Sequence, residues 1–73
     1  MAESTKTRIA EIQAPYGRLI RLDDLAFESG MKLLRVTIRE GARYTILEID
    51  AATAKTWADE LAKWSNDQGA AGA

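Results

Sequence analysis

The 73-residue chain is long enough for one small domain only, since folding at this size hides roughly 60% of the unfolded surface and leaves nothing for a second core. It holds no cysteine and no histidine, which removes disulfides, thiolate nucleophiles, Cys/His zinc sites and imidazole acid–base chemistry. Ten Lys and Arg against eleven Asp and Glu give a net charge of −1, without the basic excess common in dedicated nucleic-acid binders.

Positive charge gathers in the first two thirds, with eight basic and six acidic residues up to Leu47 and two against five from Glu48 onward. Residues 1–7 are polar and uncapped, and residues 66–73 are small, Gly-containing and aperiodic, so both ends are expected to be disordered around a single domain over 8–65. The start lacks the apolar core of a signal peptide, and no apolar run approaches the roughly 20 residues that span a bilayer. A cytoplasmic protein without a membrane partner is expected.

Residues 8–14 alternate weakly, with Ile9 and Ile12 among polar neighbours, and end at Ala14-Pro15-Tyr16-Gly17. Pro at the second position and Gly at the fourth predict a turn, hence a hairpin. A strand resumes over 18–22. Asp23-Asp24 predict a bulge or bend within it, Leu25 and Phe27 continue it, and Ser29-Gly30 supply the next turn.

The best-specified element pairs residues 31–40 with residues 43–49. A two-residue Gly41-Ala42 loop, Gly first as a type II′ turn wants, sets Ile38 opposite Thr45, Val36 opposite Leu47 and Leu34 opposite Ile49. That face is apolar. The other face carries Arg39 opposite Tyr44, Thr37 opposite Ile46 and Arg35 opposite Glu48. Asp50 then reads as the N-cap of a helix over 51–65, with Ala54, Trp57, Ala58, Leu61 and Trp64 on one side and Lys55, Thr56, Asp59, Glu60 and Lys63 on the other. Strands followed by a helix, without alternation, predict an α+β fold: a four-stranded antiparallel sheet and one C-terminal amphipathic helix, ββββα, dimeric because so small a core is marginal alone.

Little here is suited to catalysis. Ser4, Ser29 and Ser65 have no imidazole to activate them, and the adjacent carboxylates Asp23 and Asp24 point to opposite faces of a strand. No phosphate loop, dinucleotide fingerprint or metal-spaced cluster is present, so no enzyme, cofactor or metal site is expected. Trp57 and Trp64 have two readings, either as core against the sheet or, since two indoles crowd so small a fold, as a dimer interface with Leu61. The outward hairpin face also has two. Arg35, Arg39 and Arg43 with Tyr44 provide the cations and ring that single-stranded nucleic acid uses, while Arg39 over Tyr44 and Arg35 with Glu48 also make self-satisfying cross-strand pairs.

The stretches Leu33-Leu34-Arg35-Val36-Thr37-Ile38-Arg39 and Tyr44-Thr45-Ile46-Leu47-Glu48-Ile49, leading into the helix, resemble the transcriptional coactivator family called positive cofactor four. The likeness runs over residues 18–64, and Arg39 matches that family's arginine at the end of the third strand. The family's longer loop is cut here to Glu40-Gly41-Ala42-Arg43, and the chain is similar also to small uncharacterised bacterial domains. The resemblance implies a homodimer that binds single-stranded DNA and regulates transcription. From the residues themselves, the expectation is a non-enzymatic binding module acting on single-stranded nucleic acid, or an accessory subunit docked on a larger protein.

Overall fold

The computed structural model describes residues 4–72, with side chains described over residues 4–68. Four strands, β1 (Ser4–Ala14), β2 (Arg18–Phe27), β3 (Lys32–Glu40) and β4 (Arg43–Ile49), form an antiparallel meander in the order β1-β2-β3-β4, and α1 (Ala51–Gly72) follows. This is the ββββα arrangement expected from the element order. The β3–β4 register also matches, from Leu34 opposite Ile49 through Arg39 opposite Tyr44. Gly41 has φ +60° and Ala42 stays out of the left-handed region, the pattern a type II′ turn requires.

Three features depart from the sequence reading. Residues 4–7 belong to β1, paired with residues 24–27 of β2, and α1 runs to Gly72 instead of stopping at Ser65; residues 1–3 and 73 lie outside the described residues. A long β2 gives the N-terminal arm backbone partners, and Asn66-Asp67-Gln68 contain nothing that stops a helix. The bulge lies across from its expected place: β2 passes through Asp23-Asp24 without a break, and β1 carries the irregularity between Arg8 and Ala10. That extra residue, Ile9, shifts the phase of β1, so that Arg8 and Glu11 face one side while Ala10 and Ile12 face the other.

Side-chain parity then sorts the sheet. One face carries Ile12, Ile20, Leu22, Leu34, Val36 and Leu47, and α1 lies over part of it, with Val36 0% exposed. Leu25, 2% exposed, belongs to the opposite face together with buried Asp23 and Thr37. On this side the Arg8 side chain reaches over to Asp23. Leu47 shares the face of Val36, yet it sits on the edge strand and remains part-exposed.

Asp50 caps α1: its Oδ1 accepts from the Thr53 amide at 2.8 Å, and hydrogen bonding from Thr53 holds the carboxyl below its usual range. Lys55 and Asp59, four apart, form an ion pair on the solvent side at 2.9 Å. The apolar stripe of α1 is only half covered, for Trp57 and Leu61 are both substantially exposed and Trp64 is 67% exposed.

Candidate functional site

The face turned away from α1 is built as a ladder of alternating charge. Arg8, Asp23, Arg35 and Glu48 stand in one row across all four strands. Arg8 Nε donates to Asp23 Oδ1 at 2.6 Å and Arg8 Nη1 to Glu11 Oε2 at 2.7 Å, while Arg21 Nε reaches the same Glu11 oxygen at 3.1 Å. The hydrogen bond to Asp23, followed by the charges of Asp23 and Glu11, raises the Arg8 guanidinium above its usual value. Arg35 places both Nε and Nη2 on Glu48 Oε2, at 3.0 and 2.7 Å. Of the two sequence readings for this face, self-satisfied cross-strand pairing describes Arg35, whose charge Glu48 matches.

The opposite holds at the end of the sheet where the β1–β2 and β3–β4 turns meet. The meander places both turns there, with the row Gln13–Leu19–Arg39–Tyr44 on one face and the row Ala14–Arg18–Glu40–Arg43 on the other. Arg43 therefore does not share a face with Arg39 and Tyr44, as the sequence grouping had it; it lies opposite Glu40, one residue out of phase with Tyr44. All three still belong to one end, Arg39 and Tyr44 on one side of the sheet and Arg43 on the other. The Arg39 Nε donates to the Gly41 carbonyl at 3.2 Å in place of stacking on Tyr44. Among the described residues, neither Arg39 nor Arg43 forms an ion pair.

Two further members were not singled out from the sequence. Tyr16 has φ +66°, a left-handed conformation that costs a residue with a Cβ about 1–2 kcal/mol, and its ring is 91% exposed. The Arg18 guanidinium lies 5.8 Å from the centre of that ring, and its Nε bonds Glu40 Oε2 at 2.5 Å. That hydrogen bond and charge from Arg18, with a smaller contribution from Arg43, hold the Glu40 carboxyl below its ordinary range. The signal available in the sequence was Pro15-Tyr16-Gly17. Pro at the second turn position suits type I and type II turns alike, and of these only type II takes positive φ at its third residue, a place for Gly or Asn that Tyr occupies here. The turn end thus carries Arg18, Arg39 and Arg43 against the single carboxylate Glu40, with the two tyrosines Tyr16 and Tyr44 exposed among them.

A second surface lies between α1 and the sheet. A groove of about 250 Å³ has Ile12, Ile20 and Leu34 on its floor and Trp57, Ala58 and Leu61 along its wall. It is apolar throughout. Trp57, Leu61 and Trp64, the residues assigned from the sequence to a dimer interface, form the uncovered edge of this layer. Among the described residues, no group of three or more Asp or Glu side chains is placed to hold a metal ion, and no helix is long and apolar enough to cross a membrane.

Comparison with curated proteins and with solved structures returns no match. A family model does match, over residues 3–67, which includes every strand and the helix through Asp67. The chain therefore belongs to the Family of unknown function (DUF6967).

Proposed function

We propose that this protein is a non-enzymatic binding module that holds single-stranded nucleic acid at the turn end of its sheet, in the service of transcription regulation. The observation that carries the reading is Tyr16: an exposed ring kept in a strained left-handed turn, with one arginine over it and two more unpaired arginines at the same end. Strain of this kind persists where the surrounding structure enforces it and gathers at ligand-contacting places. An exposed ring offers a base a stacking platform worth about 1–3 kcal/mol, and the guanidiniums offer the phosphates their counter-charge. Outside this end the arginines are already matched by carboxylates, so the near-neutral total charge does not argue against a local cationic site. A cytoplasmic location agrees with the lack of cysteine.

The test is a titration with labelled single-stranded oligonucleotides at two salt concentrations. If the two guanidiniums without a carboxylate partner among the described residues, Arg39 and Arg43, contact about two phosphates, log K falls against log salt with a slope of about −1.4, a loss of roughly seven-fold between 50 and 200 mM. No binding at low salt with tens of micromolar protein would remove the reading. The apolar groove favours a second one, an accessory subunit seated on a larger protein, whose affinity salt would leave nearly unchanged.

A further inference from the structure

The apolar layer of the molecule is half built. Four strands spaced about 4.8 Å apart make a sheet roughly 19 Å wide, and a helix with its side chains is only about 10–12 Å across. A single helix therefore leaves part of a four-stranded face uncovered, with room for a second, and this chain supplies one. The consequence is visible in the surface. A compact monomer of 8.0 kDa exposes about 4,450 Å², whereas this chain exposes 5694 Å². Its radius of gyration, 14.6 Å, is likewise above the about 11 Å of a compact domain of this length. The β1 arm and the far end of α1 contribute part of that excess. The unfilled groove and the open flank of the helix, where Ile12, Trp57, Leu61 and Trp64 face out, contribute another part.

We infer that the missing helix is the α1 of a second copy, seated over the β1 and β2 side of the groove with Trp57, Leu61 and Trp64 of both copies facing one another. The chain carries a hollow and a projection side by side: the groove, and Trp64 one turn beyond the last wall residue Leu61. A two-fold axis between them lets each copy's indole enter the other's groove and closes the assembly at two. A standard interface takes about 800 Å² from each side, and the groove with the exposed Ile12, Trp57, Leu61 and Trp64 supplies the apolar centre of one. A net charge of −1 per chain adds little repulsion between copies. This inference does not depend on the nucleic-acid reading, because the groove and the turn end share no residue.

The experiment is sedimentation equilibrium of the full chain from 1 to 100 µM, with tryptophan emission followed over the same range. The expected result is a dimer at the upper concentrations, a blue-shifted emission that moves to the red on dilution, and dissociation at least thirty-fold easier in Trp64→Ala. Trp64 is exposed in the single chain, so this variant keeps its fold, which far-ultraviolet circular dichroism checks; Lys63→Ala, on the solvent side, associates as the wild type does. A chain that stays monomeric to 100 µM overturns the inference. So does a dimer that Trp64→Ala leaves equally tight, a mass that keeps growing past two copies, or a blue shift obtained only on adding a different protein.

Discussion

Replacing Tyr16 with glycine separates what the residue does for the fold from what it does for a ligand. Glycine adopts φ +66° freely, so the substitution returns about 1–2 kcal/mol of backbone strain. Against this stand the cation–π contact with Arg18, about 0.5–1 kcal/mol at an exposed site, and the larger backbone entropy of glycine in the unfolded chain, about 0.5–1 kcal/mol. With the ring 91% exposed there is almost no burial to lose. The sum is within about 1 kcal/mol of zero, which for a domain of this size is a melting-temperature change of no more than about 4–8 °C in either direction. Binding behaves otherwise: loss of one stacked base costs about 1–3 kcal/mol, so affinity for a single-stranded oligonucleotide falls about five- to 150-fold. Thermal unfolding and fluorescence anisotropy on the same preparation read both quantities. A destabilisation above about 2 kcal/mol would mean that the ring packs on the fold, and an unchanged oligonucleotide affinity would mean that it is no stacking platform.

Gly17→Ala perturbs the neighbouring position, at φ +72° with nothing within 4 Å of the added methyl, so its cost is backbone strain alone, about 1–2 kcal/mol by urea denaturation. Leu25→Ala should cost roughly 2–5 kcal/mol, as for a buried leucine, whereas Ile46→Ala on the same face but exposed costs under about 1.5 kcal/mol; equal costs would refute the partition of that face. Stability should fall in acid. The Asp50 and Glu40 carboxyls are held below their ordinary values of 3.8 and 4.5, so the stabilisation they give is complete above those values and is lost as the pH falls through the lower folded ones. Urea midpoints should therefore be flat from pH 6 to 8 and decline below about pH 4.5, and Asp50→Ala should remove part of that decline.

The strand order, the β3–β4 register and the Asp50 cap were legible because each rests on local chemistry: period-two alternation, a Gly-first two-residue loop, and a carboxylate at a strand-to-helix junction. The bulge was misplaced because Asp23-Asp24 look disruptive in isolation. In the sheet Asp23 is stabilised by Arg8, fifteen residues away, and it is the three-residue interval between Ile9 and Ile12 that breaks the alternation. The candidate site was partly legible. Arg39, Arg43 and Tyr44 are local to one turn, but the addition of Tyr16 and Arg18 depends on the meander bringing a second turn to the same end. Arg35 was grouped with them by strand parity. Parity assigns a face and says nothing of whether the charge is already matched, and Glu48 matches it.

The most direct measurement is an amide-resolved nuclear magnetic resonance titration of the labelled protein with a short single-stranded oligonucleotide. The account predicts shifts at Tyr16, Gly17, Arg18 and from Arg39 to Tyr44, growing together to one saturation point, while Trp57, Leu61 and Trp64 stay in place. Shifts confined to the α1 groove, or spread along the Arg8–Asp23–Arg35–Glu48 row with the turn end silent, would contradict it.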